Sequence, residues 1–479
     1  MVPYNWTTTS AEAKHRIKGL KISVKDLKAD LDVETDESYS LSVQPNSNVE
    51  LNSTTVWGAL RGLETLTQLV KYSPIHKKLV IPHAPYLIKD SPSFKHRGVL
   101  LDTSRHYYTV EDIYKLLDGL SYNKFNVFHW HMIDSTSFPY RSKKYPQLAD
   151  FGSYGPEFEY DAKTIKKIVQ YARERGIRVI PELEAPGHAT AWGLGMPEIV
   201  SCLDTQPFFG LTVQPPAGQL NPANPKTIEV VKDIIAEWSE LFPDHYFHAS
   251  GDEIVMKCWT EDPQVKGLME KTNQTSYQVF DKFTQEMHKE VRKHGKAVMV
   301  WQEMLLEYNA TLPKDTIVQP WFGPKAIKEI VSKGYRTVVS TSEYWYLDIG
   351  FGRPRSNPYP DVAGAGFNHW NRVYSYDITE GLTAEESKLV LGGEVTLWGE
   401  LMDSNNFETL LWPRGAAAGE RLWSGYKDTK GQNITSADAI LRLLPWRESM
   451  IHRGIRATPL NQGYCTRNPL KCFQPPKTN

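Results

Sequence analysis

The sequence predicts an α/β protein: a (β/α)8 TIM barrel preceded by a small α+β domain. Three observations predict this fold. Over residues 93–479, short apolar segments alternate with segments of helical periodicity. Eight such pairs are present, and eight is the number that closes a parallel barrel. Most of the apolar segments end in polar or aromatic side chains, at the end of the strand where a barrel builds its active site.

Residues 1–92 are expected to form the first, non-catalytic domain. The segment LKISVKDLK alternates apolar and polar residues, as a half-buried strand does, and YSLSV predicts a second strand. Residues 56–70 have apolar side chains at helical spacing and predict an amphipathic helix. The proline-rich segment IPHAPYLIKDSPSF is expected to be a connector to the barrel.

The barrel is predicted from eight strand candidates separated by helical patterns such as VEDIYKLLDGLSYN and AKTIKKIVQYARERG. An open, doubly wound sheet would also be parallel, but no glycine-rich phosphate loop follows a strand, so the barrel is favoured. The candidates are RGVLLDTSR (97–105), KFNVFHWH (124–131), IRVIPELE (177–184), YFHASGDE (246–253), AVMVWQE (297–303), TIVQPWF (316–322), RTVVSTSEYW (336–345) and LVLGGEVTLWGE (389–400).

Composition excludes several classes of partner. The chain has 479 residues, with 55 Lys plus Arg against 56 Asp plus Glu, so its charge supports neither a nucleic-acid surface nor an anionic-membrane surface. No apolar run approaches the ~20 residues that span a bilayer. We therefore expect a globular protein that binds neither nucleic acid nor membrane.

The pair Asp252 and Glu253 is the sharpest local signal. Neighbouring residues of a strand point to opposite faces, so both can serve one site only where the pleat ends. Ser250-Gly251 precedes the pair and supplies backbone freedom at that point. An isolated Asp-Glu pair is more often a solvated turn. Its place at the end of an apolar strand favours function.

A carboxylate pair on a barrel suits glycoside hydrolysis. Ordinary retaining enzymes use two carboxyls about 5 Å apart, with one as the nucleophile. Sequence neighbours can scarcely flank one bond from both faces. They suit a reaction in which the substrate's own 2-acetamido oxygen attacks, while one carboxylate orients the acetamido nitrogen and the other donates a proton.

Histidines at strand ends have two interpretations, structural or functional. His188 is placed to complete a chain Asp134–His188–Glu253 that holds Glu253 protonated, although a structural histidine is the more frequent case. His129 and His131 lie on one strand face, but no closed ligand set stands beside them in the sequence. We predict no metal and no cofactor.

Aromatic and charged residues accumulate at the same strand ends. A single Trp is ordinarily barrel packing, but several beside charges predict a sugar pocket in which indoles hold the ring and charged groups bind hydroxyls. The candidates are Arg105, Trp301, Trp321, Trp345, Tyr346, Asp348, Trp398 and Glu400.

Cysteines and sequons favour the secretory pathway. Four cysteines fit two disulfides, and five Asn-X-Ser/Thr sequons accompany them. The opening MVPYNWTTTS lacks an apolar signal-peptide core, so we interpret the chain as a mature or trimmed form. The expected location is secreted, lysosomal or vacuolar. The predicted glycosylation sites are Asn5, Asn52, Asn273, Asn309 and Asn433.

These segments resemble the β-N-acetylhexosaminidases of glycoside hydrolase family 20, of the eukaryotic lysosomal and secreted type. The similarity runs through nearly the whole chain. It is carried by DESYSLSV, TVWGALRGLETLTQLV, HRGVLLDTSRHYY, FNVFHWHMIDSTSFPY, PELEAPGHATAWG, HASGDEI, VWQEM, WYLD, GGEVTLWGE and LWPRGAAAGERLW.

The resemblance implies exo-hydrolysis of terminal β-linked GlcNAc or GalNAc from oligosaccharides or glycoconjugates, with retention through an oxazolinium intermediate. It implies Glu253 as general acid/base, Asp252 as the acetamido-orienting group, and Asp134 with His188 as their support. It further implies that Tyr346 bonds the acetamido oxygen. Arg105 and Glu400 would bind hydroxyls, and Asp348 would be an acid near the O6 side of the sugar. Trp301, Trp321 and Trp398 would be walls of the pocket, with Trp345 as packing only.

The resemblance also implies disulfides Cys202–Cys258 and Cys465–Cys472 and, by analogy alone, a homodimer. The chain departs from the family pattern at three places. Ser250 stands where glycine is common and Glu184 where Asp is usual, and Asp134-Ser135 replaces a common acidic pair. These departures affect the expected substrate preference rather than the expected activity.

Two other functions remain open on the residues. One is a barrel glycosidase whose carboxylates lie on two strands, Glu253 with Glu400 or Glu303. The other is a non-catalytic sugar-binding protein. It would have lost one acid of the pair, whereas both are present.

Overall fold

The computed structural model describes residues 15–73, 77–350 and 366–472. The predicted glycosylation site Asn5 lies outside these residues. Within them the strands are β1 (Leu20–Asp26), β2 (Tyr39–Val43), β3 (Val49–Thr55), β4 (Lys71–Ser73), β5 (Lys78–Val80), β6 (Tyr86–Asp90), β7 (His96–Asp102), β8 (Val127–His131), β9 (Arg178–Glu182), β10 (Val200–Ser201), β11 (Gln219–Leu220), β12 (Tyr246–His248), β13 (Ala297–Trp301), β14 (Ile317–Gln319), β15 (Arg336–Val339) and β16 (Val390–Leu397).

The helices alternate with the barrel strands and cover them. Two long ones, α2 (Val110–Tyr122) and α9 (Ser276–Lys293), begin at threonine capping boxes, Thr109 with Asp112 and Thr275 with Gln278, which satisfy free backbone N–H groups. The α-helices are α1 (Val56–Leu69), α2 (Val110–Tyr122), α3 (Gln147–Gly152), α4 (Ala162–Arg173), α5 (Thr190–Gly195), α6 (Pro225–Leu241), α7 (Met256–Glu261), α8 (Pro263–Thr272), α9 (Ser276–Lys293), α10 (Glu303–Leu306), α11 (Lys325–Ser332), α12 (Ser342–Trp345), α13 (Trp370–Ser375), α14 (Ala384–Ser387), α15 (Phe407–Leu411), α16 (Arg414–Ser424), α17 (Ser436–His452), α18 (Gly463–Arg467) and α19 (Pro469–Cys472).

The first domain is a four-stranded sheet in the order β1-β3-β2-β6, with α1 against it. Two expectations were wrong. β1 is almost wholly exposed rather than half-buried, because none of its side chains joins the apolar core of this sheet. The predicted connector contains β6, which pairs with β2 and gives its Tyr86 and Ile88 to the apolar core of this sheet.

Eight parallel strands close the barrel: β7, β8, β9, β12, β13, β14, β15 and β16, each paired with the next, with β16 paired back to β7. Seven of the eight predicted segments contain one of these strands, and the first starts one residue after β7 begins at His96, so the predicted fold class is confirmed. The strands are shorter than predicted. β12 ends at His248 rather than at residue 253, and residues 342–345 form a helix, because the chain leaves the hydrogen-bonded ladder to build the connecting loops.

The interior of the barrel is layered because alternate residues of each strand point inward. The lowest layer is apolar, with Val127, Ile180 and Tyr246 among its members. Two residues further along the same strands stand His129, Glu182 and His248, which are buried and hydrogen-bonded or ion-paired. The layer above them opens towards the loops at the carboxyl ends of the strands.

Both disulfides implied by the resemblance are present, Cys202–Cys258 and Cys465–Cys472. The first ties the loop after β10 to α7, the helix that follows the Asp252-Glu253 loop in the chain. The four sequon asparagines within the described residues, at positions 52, 273, 309 and 433, are all exposed. Among the described residues we find no helix with the length and apolar character needed to cross a membrane.

Candidate active site

One pocket opens at the carboxyl end of the barrel, and every one of the eight strands contributes to it. All of the predicted catalytic and substrate-binding residues except Asp348 line it. The lining residues are Arg105, His131, Asp134, Glu184, His188, Gln214, Asp252, Glu253, Trp301, Trp321, Tyr346, Trp398 and Glu400. Asp348 is buried, and burial together with the negative charge of Glu400 raises the pKa of Asp348 well above the usual range.

The loop after β12 explains how two neighbouring carboxylates share one pocket. Ser250, Gly251 and Glu253 have φ angles of 48°, 93° and 50°, in the left-handed region. These angles break the alternation of a strand, so Asp252 and Glu253 both line the pocket. The backbone of Ser250 is fixed, because its carbonyl oxygen accepts a hydrogen bond from the backbone N–H of Trp301 at 3.1 Å.

Glu253 is engaged by His188. The His188 Nε2 atom lies 3.2 Å from Glu253 Oε2, and His188 Nδ1 lies 3.8 Å from Asp134 Oδ1. Burial disfavours a charged imidazole, but the charge of Asp134 and the bond to Glu253 outweigh it and raise the pKa of His188 to about 10. The three groups stand in the predicted order, with a contact at the Asp134 end that is longer than a hydrogen bond.

Asp134 is held as an anion. Its Oδ2 lies 2.9 Å from Arg105 Nη2 and 3.1 Å from His131 Nε2. Burial alone would raise the pKa of this carboxyl, but Arg105 and His188 lower it to about 2. A permanent negative charge behind His188 favours the imidazolium form and fixes which way the ring faces.

Asp252 is held by a different partner. Ser250 Oγ lies 2.8 Å from Asp252 Oδ1 and 2.6 Å from Glu184 Oε2. Burial raises the pKa of Asp252 to about 6, with nearby Glu182 and Glu253 acting in the same direction and His188 against them. The adjacent carboxylates therefore have separate supports, His188 for one and Ser250 for the other.

Four aromatic side chains form a continuous wall. Trp301 and Trp398 have ring centroids 6.0 Å apart, Trp398 and Tyr346 6.3 Å, and Tyr346 and Trp321 6.3 Å. Trp321 is fixed because its Nε1 donates to Glu303 Oε1 at 2.8 Å. Such a wall fits the apolar face of a pyranose ring. Trp345, predicted to be packing only, is buried outside the pocket.

The polar side of the pocket is made by Arg105, Glu400 and Gln214. The Arg105 guanidinium carbon lies 5.3 Å from the Trp398 ring centroid, and Gln214 Nε2 donates to Glu400 Oε1 at 3.3 Å. Burial raises the pKa of Glu400, and Arg105 opposes that shift. These groups present charge and hydrogen-bonding atoms on one side of the aromatic wall.

Three lining residues were not among the predicted site residues: His131, Glu184 and Gln214. The first two had a signal, because each lies two residues beyond an inward-facing residue of β8 or β9. Gln214 comes from a proline-rich loop whose path no periodicity reveals.

Three groups of buried or half-buried residues within the described ranges place His and carboxylate atoms close enough together to hold a metal ion. No such cluster beside His129 and His131 was predicted from the sequence. Glu182 completes two of the groups, but its oxygens already contact His131 Nδ1 at 2.7 Å, His129 Nε2 at 3.2 Å and Trp301 Nε1 at 2.7 Å. The groups are His129–Glu182–His248, His131–Glu182–Glu184 and His188–Asp252–Glu253.

Comparison with known proteins follows the same division of the chain. Residues 94–426 match the catalytic domain of glycosyl hydrolase family 20, and residues 3–69 match a β-acetyl hexosaminidase-like domain. The chain is 37% identical to human β-hexosaminidase subunit beta over 96% of this chain and 80% of that protein. It is 34% identical to β-hexosaminidase 1 of Coccidioides posadasii over 96% and 82%.

Solved structures agree with these matches. A chitobiase of Flavobacterium johnsoniae superposes with a TM-score of 0.77 at 33% identity, over 91% of this chain and 63% of that one. An exo-β-N-acetylglucosaminidase of Vibrio harveyi, solved with N-acetylglucosamine, gives a TM-score of 0.77 at 24% identity over 92% and 70%, which supports the fold alone. The chain therefore belongs to glycosyl hydrolase family 20 and is a glycoside hydrolase of the β-hexosaminidase type.

Proposed function

We propose that the protein removes terminal non-reducing β-linked GlcNAc or GalNAc residues with retention, using the substrate's own acetamido group as nucleophile. The observation that carries this proposal is the separate support of the two adjacent carboxylates. Glu253 contacts His188 at 3.2 Å, while Asp252 Oδ1 lies 2.8 Å from Ser250 Oγ. Two roles, proton transfer and orientation, suit such a pair better than a nucleophile facing an acid across the bond.

In the first step the acetamido carbonyl oxygen attacks the anomeric carbon as the glycosidic bond breaks. Glu253 gives its proton to the leaving oxygen, and Asp252 accepts a hydrogen bond from the acetamido N–H and stabilises the developing oxazolinium charge. In the second step Glu253 takes a proton from water, which attacks the same carbon and restores the acetamido group. The two inversions give net retention.

The remaining residues bind the sugar. Tyr346 is proposed to bond the acetamido oxygen from its place between Trp321 and Trp398. Arg105 and Glu400 are proposed to bind ring hydroxyls, and the indoles to hold the ring face. Asp348 lies outside the pocket lining, so its proposed contribution at the O6 side acts through Glu400, with which it interacts electrostatically.

The proposal is tested with matched aryl glycosides. We expect hydrolysis of the aryl β-N-acetylglucosaminide but not of the corresponding glucoside, and inhibition by a thiazoline analogue of the intermediate. Asp252→Asn and Glu253→Gln should each lower kcat/KM by about 10²- to 10⁴-fold, the range for loss of a positioned acid, base or charged donor. Glu261→Gln, at an exposed carboxylate on α7, is the matched control.

Equal turnover of the glucoside would exclude the substrate-assisted mechanism. It would favour a pair on two strands, Glu253 with Glu400, since both line the pocket. Glu303 is a weaker second carboxylate, because it is buried behind Trp321 and absent from the lining. Binding without turnover of either glycoside would indicate a sugar-binding protein.

The setting of the enzyme is also proposed. Two disulfides and four exposed sequon asparagines support passage through the secretory pathway, to the outside or to a lysosome or vacuole. We place the boundary between the two domains at residues 92/93, in the short link between β6 and β7. A homodimer is kept as an expectation by analogy, tested by light scattering of the purified protein.

A further inference from the structure

Two residues that depart from the family pattern contact each other beneath the catalytic loop. Glu184 follows β9 and Ser250 follows β12, and the Ser250 hydroxyl lies 2.6 Å from Glu184 Oε2. The same hydroxyl lies 2.8 Å from Asp252 Oδ1. Glu184 and Ser250 are 1% and 0% exposed, so their polar atoms need hydrogen-bond partners within the site.

The hydrogens of this contact do not suffice if both acids are ionised. A serine hydroxyl carries one hydrogen and can donate to only one carboxylate. The second contact would then join two oxygens without a hydrogen between them, inside a buried site where such a contact is costly. One of the two carboxyls must hold a proton.

The surroundings identify Glu184 as the protonated acid. Both side chains line the pocket, but Glu184 Oε1 is buried without a hydrogen-bond partner, whereas Asp252 is only half-buried. Asp252 and Glu182 disfavour the charge of Glu184, whereas His188, His131 and Arg105 favour it. Burial and Asp252 prevail and raise the pKa of Glu184 well above the usual range, while that of Asp252 reaches only about 6.

We propose that Glu184 and Ser250 are positioning residues for Asp252: neutral Glu184 donates to Ser250 Oγ, and Ser250 donates to Asp252 Oδ1. The inference rests on the proposed substrate-assisted function. This hydrogen-bond relay fixes the rotation of the Asp252 carboxylate and leaves Oδ2 free to accept a hydrogen bond from the acetamido N–H. Because both donors are neutral, they orient Asp252 without cancelling its negative charge. A Lys or Arg partner would cancel that charge.

The kinetic test compares Glu184→Gln with Glu184→Asp on the aryl β-N-acetylglucosaminide. Gln keeps the length and an N–H donor for Ser250 Oγ, so it should retain more kcat/KM than Asp, whose side chain is one methylene too short to reach. We expect Glu184→Asp to lose about 10- to 100-fold, because the buried Ser250 Oγ is then left without its donor. The reverse order, or equal losses, would show that Glu184 acts through its charge or not at all.

A double-mutant cycle tests the hydrogen-bond relay itself. Ser250→Gly removes the hydroxyl without adding strain, because the φ of 48° suits glycine. In the double variant Ser250→Gly/Glu184→Asp we expect the loss of the larger single variant rather than the product of both, since the two residues act through one another. Independent, multiplied losses would refute the relay.

A spectroscopic measurement needs no turnover and separates this inference from the proposed function. Infrared difference spectra of wild type minus Glu184→Gln at pH 7 should contain the C=O band of a protonated carboxylic acid. Glu303→Gln is the matched control, because Glu303 is another buried acid with a raised pKa. Absence of the Glu184 band in an enzyme that still requires the acetamido group overturns the inference alone. Presence of the band in an enzyme that hydrolyses both glycosides equally overturns the proposed function alone.

Discussion

Glu182 and Glu184 stand two residues apart at the end of the same barrel strand, are equally buried, and have opposite protonation behaviour. Glu182 contacts His131 at 2.7 Å and His129 at 3.2 Å, and these partners overcome burial and hold its pKa well below the usual range. Glu184 contacts a serine and faces Asp252, and its pKa is raised well above that range. Their exposures are 0% and 1%, so the sign of the neighbouring charge decides the outcome rather than burial.

The contrast extends from these two residues to two layers of the barrel above the apolar one. The lower of the two contains Glu182, His129 and Glu394, and the upper contains Glu184 and the residues of the pocket. In the lower layer Glu394 accepts from His96 at 2.6 Å and lies 2.9 Å from His129, so its charge is matched by imidazoles. There Glu394 outweighs the burial of His129 and raises its pKa to about 9. Carboxyls outnumber cations in the upper layer, and burial raises the pKa of Glu303 as it does that of Glu184.

This difference teaches how the barrel separates stability from chemistry. The lower layer is a set of ion pairs whose members depend on one another. The upper layer stores protons on acids close to the reacting atoms, where a glycosidase needs them. One step of two residues along a strand is sufficient to pass from one environment to the other.

The largest expected effect is the loss of the lower layer's central anion. Glu182→Gln leaves the imidazolium of His131 without its nearest anion, and breaking a buried pair costs about 3–5 kcal/mol of unfolding free energy. The measurement is unfolding in urea, followed by fluorescence and circular dichroism. Glu184→Gln is the matched control and should cost less than about 1 kcal/mol, because an amide replaces a neutral acid of the same shape. Equal destabilisation by the two variants would erase the contrast between the layers.

The next effect concerns the pH dependence of activity. Asp252 must be ionised to orient the substrate, and burial raises its pKa, so kcat/KM should fall about tenfold per pH unit below an acid limb that lies above the ordinary Asp value of about 3.9.

Variants from the two layers should move the acid limb in opposite directions. Ser250→Gly removes a hydrogen bond that lowers the pKa of Asp252, and should shift the limb to higher pH. Glu182→Gln removes a negative charge that raises the pKa, and should shift it to lower pH. An acid limb at or below the ordinary Asp value in wild type, or shifts in the same direction, would contradict this account.

The sequence predicted the barrel well because its evidence is local and repeated. Each strand segment is a short apolar run, and a run such as AVMVW needs no tertiary information to be recognised. The ends of the strands were predicted less well. In residues 246–253 the ladder stops after His248, because pairing depends on neighbouring strands that the segment itself does not describe.

The candidate site was predictable to the extent that it follows from strand ends. Asp252, Glu253 and Trp301 lie where the strand count places them, and the resemblance added their roles. The burial of Asp348 outside the pocket lining was not predictable, because depth beyond a strand end is set by loop packing. The contact of Glu184 with Ser250 joins positions 66 residues apart, and only the closed barrel brings them together.

The smallest expected effect lies at the rim, where the upper layer ends and the loops begin. Gln214 Nε2 donates to Glu400 Oε1 at 3.3 Å, and Gln214→Ala removes that bond. Such a bond contributes about 0.5–1.5 kcal/mol, so we expect KM to rise by about 2- to 12-fold with little change in kcat, because the bond positions a hydroxyl-binding group rather than the reacting atoms. Gln170→Ala, on the barrel's outer helix α4, is the matched control. A fall in kcat as large as that in Glu184→Asp would mean that the rim and the layer beneath it act as one unit.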